Sequence, residues 1–156
     1  MRYSPTLVDH FLNPRNAGLM RDADGCGSDE YEGCGDLARF YLRAREGRLA
    51  EARFQAYGCG PTIAAASVAT ELAAGRALED LTLLKAQDIE DALDGLPEDR
   101  KHAAEVAAGA MRAAALDALR RGNVAVRVAG RRGAVVRAAA AGEASLRESP
   151  PSETSL

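Results

Sequence analysis

With 156 residues, 47% of them apolar but only 4% aromatic, the chain is the size of one ordinary domain and its core is expected to be fine-grained and rich in alanine. Its net charge of −3, with acids and bases interspersed, excludes a basic nucleic-acid face. No window reaches the uninterrupted apolar length of a membrane span, and Met1-Arg2-Tyr3-Ser4-Pro5 is not a signal sequence, so a cytoplasmic protein is expected.

Ser4 and Pro5 are an N-cap and a first-turn proline for a helix whose apolar stripe is Leu7, Val8, Phe11 and Leu12, stopped by Asn13-Pro14. His10 is read as a residue of that helix's surface, bonding the Asn13–Arg15 turn. Arg15 to Gly33 is polar and glycine-containing, expected as a loop with at most a short edge strand, and it carries Cys26. Two runs of alternating apolar and polar residues follow, Leu37 to Arg43 and Arg53 to Ala56, joined across Glu46-Gly47. This pattern predicts a β-hairpin.

Cys34 lies twelve residues before Glu46 and Cys59 twelve after Gly47, so the hairpin brings the two thiols side by side. The alternative register, offset by one, sets Phe40 opposite Phe54 and Leu42 opposite Ala52 on one buried face. The cysteines remain neighbours in either.

Pro61 and Thr62 start the next helix, Ile63 to Ala74, closed by Gly75. Cys59 therefore sits just ahead of a helix N-terminus, where unpaired backbone N–H groups favour the thiolate. Two short helices, Leu78 to Leu84 and Asp88 to Leu93, lead to a last one from about Lys101 to Arg121. His102 falls in its first turn, and Ala107, Ala110, Met111, Ala114 and Ala118 form its packing face. The functional domain is expected to span residues 1–122. Residues 123–156 would be an extension with a weak hairpin, Asn123–Val128 against Ala134–Val136, and then a disordered Ser/Glu/Pro-rich tail.

All three cysteines are flanked by glycine and lie between Cys26 and Cys59. In a reducing compartment such a cluster points to metal, sulfur or redox chemistry rather than a disulfide framework.

Four separated stretches now match one family in order and spacing: Asp9-His10-Phe11-Leu12-Asn13-Pro14-Arg15-Asn16-Ala17-Gly18, Cys34-Gly35-Asp36, Ala52-Arg53-Phe54, and Tyr57-Gly58-Cys59-Gly60. Over about residues 2 to 121 the chain resembles the IscU/NifU-type scaffolds on which iron-sulfur clusters are assembled. The resemblance implies an α+β fold, a small three-stranded antiparallel sheet covered on one face by helices. It implies a scaffold rather than an enzyme, a transient iron-sulfur cluster, [2Fe-2S] by expectation, a cysteine desulfurase as sulfur donor, and acceptor apoproteins.

By the same resemblance Cys34, Asp36 and Cys59 are site ligands. The third family cysteine follows a histidine at the start of the last helix; here that histidine is His102 and the next residue is Ala103. Imidazole can replace thiolate on iron, so His102 completes a set of four with Cys34, Cys59 and Asp36, and Cys26 is a candidate replacement for the missing thiol. The same four would close a tetrahedral zinc site. A zinc-dependent sulfur acceptor of the SufU type and a degenerate interaction protein are the competing readings. The family's chaperone motif, Leu-Pro-Pro-Val-Lys, is matched only in part by Leu96-Pro97-Glu98-Asp99-Arg100, which sets an Hsp70-type chaperone apart from the other expected partners.

Overall fold

The structure, a computed structural model, describes residues 3–33 and 35–131, the stretch 123–131 as helical backbone only. Helix α1 (Pro5–Leu12) leads to the strands β1 (Gly25–Tyr31), β2 (Asp36–Arg45) and β3 (Arg48–Tyr57). Helices α2 (Gly60–Ala73), α3 (Leu78–Leu81) and α4 (Ala86–Ala92) follow, then a 3-10 turn at Glu98–Arg100 and α5 (His102–Arg131). The strands form one antiparallel sheet in the order β1-β2-β3, the expected α+β arrangement.

The β2–β3 hairpin turns through Glu46 and Gly47, both at positive φ (53° and 77°), as a two-residue turn matching the strand twist requires. Next to the turn Arg45 pairs with Arg48 and Ala44 with Leu49; beyond it Arg43 pairs with Glu51, which leaves Ala50 as a bulge. The bulge moves the ladder by one, so Phe40 faces Phe54 and Leu42 faces Ala52. Both registers that can be counted from the sequence thus occur, one on each side of the bulge.

Alternation then sorts the strands. Ala38, Phe40 and Leu42 of β2 and Leu49, Ala52 and Phe54 of β3 are buried against helices, while Arg39 and Arg45 are exposed. Helix α5 lies along β1 and β2, and α2 lies along β3 and packs against α1. Fully burying a side chain such as Phe40 or Leu42 contributes about 1.5–3 kcal/mol each. The α5 face is alanine-rich as expected, with Ala107, Ala110, Met111, Ala114 and Ala118 all buried.

Three expectations change. First, the short edge strand allowed for in the polar stretch spans seven residues and contains Cys26, which is therefore not in a loop. Its glycines admit the neighbouring helix: a Cβ on Gly25 would stand 2.5 Å from Ala114 O, and one on Gly27 2.3 Å from Ala114 N. Second, α5 runs through Gly122 to Arg131, so Asn123–Val128 is helical rather than a hairpin arm; a single glycine costs a helix about 1 kcal/mol but does not end it. The other arm, 134–136, and the tail lie outside the described residues. Third, α1 is capped by Ser4, whose Oγ accepts from Leu7 N–H at 3.0 Å, but it buries Leu7 and His10 and leaves Phe11 and Leu12 exposed.

His10 is thus a core residue and not a surface one. Its Nδ1 is 2.7 Å from Ser67 Oγ of α2, and Ser67 Oγ also accepts from Arg15 N–H at 2.8 Å. This leaves the serine's own proton placed for donation to Nδ1. Burial, and after it the Arg15 charge, hold the His10 pKa below its ordinary 6.5, against the opposing pull of Glu71 and Asp9.

Candidate functional site

At one end of the sheet three elements distant in sequence converge. Asp36 is the first residue of β2, Cys59 is the N-cap of α2, and His102 is the first residue of α5. One ligand atom from each lies within 4.8 Å of the others. Among the described residues this is the one such group of His, Cys and carboxylate side chains.

The carboxylate is the hub. Asp36 is 3% exposed, and its Oδ2 is 2.9 Å from His102 Nε2, 3.4 Å from Cys59 Sγ and 2.7 Å from Thr62 Oγ1. A buried carboxylate needs such donors, because removing its charge from water unpaired would be costly. Thr62 Oγ1 is also 3.3 Å from Cys59 Sγ.

Local structure explains how these atoms meet. The last β2–β3 pair is Leu37↔Tyr57, so Asp36 emerges beside Gly58. A Cβ on Gly58 would stand 2.3 Å from Asp36 Oδ1, and its φ of +140° is itself a glycine conformation. Cys59 sits at the positive end of α2, as its N-cap residue. His102 stacks on Tyr31 at the end of β1, ring centroids 4.4 Å apart and planes 20° apart.

Arg100, two residues before His102, adds positive charge to this end of the molecule. A hydrogen bond to Tyr3, then the Asp99 carboxylate and, more weakly, Cys59 raise its pKa above the ordinary value.

The sequence-derived candidates divide accordingly. Asp36, Cys59 and His102 come together. Cys34 lies outside the described residues. Cys26 is held in the ladder opposite Tyr41, five positions from the Tyr31↔Asp36 pair, a separation of about 16 Å along the strand. Because Gly25 and Gly27 face α5, alternation turns Cys26 to the opposite, open face of the sheet. A strand residue on that face cannot swing to the cluster, and Cys26 is not part of it. Ala103, beside His102, is fully buried and offers no ligand atom.

Two residues around the cluster escape a reading of the sequence. Thr62 had a usable signal, since the third residue of a helix points back toward its N-cap, and here the N-cap is Cys59. Tyr31 had none, because its stacking partner is 71 residues away.

Comparison with known proteins agrees with this architecture. A family model described as the NifU-like N terminal domain matches residues 2–125. The iron-sulfur cluster assembly scaffold protein IscU 1 of Archaeoglobus fulgidus is 40% identical over 119 residues, covering 76% of this chain and 78% of that protein. The IscU scaffold of Azotobacter vinelandii is 39% identical over 121 residues, covering 75% and 94%. Among solved structures, the SUF-system scaffold-type protein of Fervidobacterium islandicum superposes with a TM-score of 0.59 at 17% identity, covering 72% of this chain and 96% of that one. A NifU-like N-terminal protein of Brucella abortus gives 0.53 at 19%, covering 76% and 92%. These two likenesses are of fold.

Proposed function

Because this chain belongs to the NifU-like N-terminal domain family, we propose that Asp36, Cys59 and His102, joined by Cys34, hold the nascent cluster during its assembly. The protein is an iron-sulfur cluster assembly scaffold rather than an enzyme with turnover of its own. The single observation that supports this ligand set is the convergence of three donor atoms within 4.8 Å of one another.

The cluster is cargo, and the donor set suits cargo. Thiolate is a soft ligand that favours cluster iron, imidazole is an acceptable substitute, and carboxylate is harder and holds iron less firmly. A mixed set therefore binds well enough to assemble and loosely enough to release. Four protein ligands, two to each iron, serve a [2Fe-2S] cluster.

Loading exchanges protons for metal. Cys59 must lose its thiol proton, and His102 must present an unprotonated Nε2 where it now faces Asp36 Oδ2. Uptake therefore strengthens as pH rises. Sulfur is delivered as persulfide by a cysteine desulfurase: a site thiolate attacks the outer sulfur, a new S–S bond forms, and the donor's thiolate leaves. Acceptor apoproteins take the finished cluster. A reducing, cytoplasmic setting keeps the thiols available for this exchange.

Anaerobic reconstitution with ferrous iron and sulfide tests the proposal. Cluster absorption bands that disappear in Cys59→Ser and His102→Ala are expected. Bands that persist in both variants would refute the ligand set. The same donors also suit tetrahedral zinc, so zinc retained to the exclusion of iron, together with persulfide loading, would identify a sulfur acceptor instead.

A further inference from the structure

We propose that Thr62 is a positioning residue of this site, its hydroxyl orienting the Asp36 carboxylate toward a bound metal beside Cys59; the inference rests on the metal-holding reading above. Threonine in the first turn of a helix ordinarily faces water or bonds its own backbone. Thr62 is fully buried, and its Oγ1 instead donates to Asp36 Oδ2 at 2.7 Å while lying 3.3 Å from Cys59 Sγ.

The crowding of groups around one carboxylate oxygen gives this contact its importance. The groups that face Asp36 Oδ2 include the Cys59 thiol, the His102 ring nitrogen and the Thr62 hydroxyl. The first two are themselves donors to metal, thiolate sulfur and imidazole nitrogen being suitable ligands. An alcohol does not ionise at these pH values. Thr62 is not itself a ligand, so its bond to the buried carboxylate does not compete with metal for a donor atom, and it holds Asp36 in one orientation. Its β-branched side chain is confined to two main rotamers in a helix, and its place three residues after Cys59 couples both ligands to one turn.

Groups that hold a ligand in place by hydrogen bonding typically change metal affinity about 10–100-fold when removed. Thr62→Val keeps the shape and deletes the donor; Thr62→Ser keeps the donor. Titration of the full chain with cobalt(II) is expected to show affinity falling about 10–100-fold in Thr62→Val, with a weakened sulfur-to-cobalt charge-transfer band, and returning to within about threefold of the original in Thr62→Ser. Thr62→Val binding within about threefold of the original, with the same band, would overturn the proposal.

A measurement without metal separates this from the larger reading. The side-chain carboxyl 13C resonance of Asp36 is expected to move in Thr62→Val and return in Thr62→Ser. A resonance unmoved in the valine variant would remove the orienting role. Failure of the unsubstituted protein to bind cobalt would instead refute the metal site, and the carboxyl resonance would still decide the role of Thr62.

Discussion

Gly25-Cys26-Gly27 and Gly58-Cys59-Gly60 share the same local sequence and serve opposite ends. Around Cys26 the glycines exist for a neighbour: α5 lies so close to β1 that a Cβ at Gly27 would stand 2.3 Å from its backbone. Around Cys59 Gly58 makes room for the Asp36 carboxylate, and Gly60 faces the Phe11 ring at 3.3 Å from the position of a Cβ. A glycine-flanked cysteine is thus not one kind of object. What occupies the space that the missing side chains leave decides whether the thiol meets the Asp36 and His102 side chains or stays apart from them.

The largest effect that would break this contrast is at Gly27. Gly27→Ala forces a methyl group into α5 backbone, which cannot yield as a flexible side chain would, and a loss of about 3 kcal/mol is expected in urea unfolding. A variant as stable as the parent would mean that α5 does not press on Gly27. Gly58→Ala should cost less, about 1–3 kcal/mol from strain at positive φ, but it should displace Asp36 and remove most cobalt binding. Stability lost with metal binding intact would show that Gly58 serves the backbone alone.

Acid should sharpen the contrast with a smaller effect. The His10 pKa is depressed below its ordinary 6.5, by burial first and then by Arg15. The neutral ring is the folded form, so its contribution to stability is complete above that value and is lost as pH falls through the depressed one. Since α1 touches the start of α2 through Phe11 and Gly60, hydrogen exchange should quicken around Cys59 before it quickens in β1. Replacing His10 by Gln should flatten that dependence, and an unchanged pH profile would count against it. The smallest effect is at Cys26: Cys26→Ser should leave stability within about 0.5 kcal/mol and cobalt binding unchanged. Weakened binding in that variant would return Cys26 to the site.

Much of the site was legible because its signals are local. The position of Cys59 at a helix start follows from Pro61 and the apolar run after it, and the pairing of Phe40 with Phe54 from simple alternation. His102 was placed in the first turn of its helix, though nothing in its own neighbours points to Asp36. Two of the errors, at His10 and Cys26, have a common cause. His10 lies on a helix whose apolar stripe suggested a different buried face, and Cys26 lies in a segment whose polar composition suggested a loop. In both, contact with a helix far along the chain overrode local preference.

The sequence by itself determined the hairpin, the caps of α1 and α2, the alanine face of α5, and the separated motifs that carry the family likeness. These depend on periodicity and on chemistry within a few residues. Only the tertiary structure decided which face of β1 the glycines open, that Thr62 turns inward onto Asp36, and that Tyr31 stacks on His102. Such destinations are set by the approach of elements that are distant in the chain, and no local pattern encodes the distance between them.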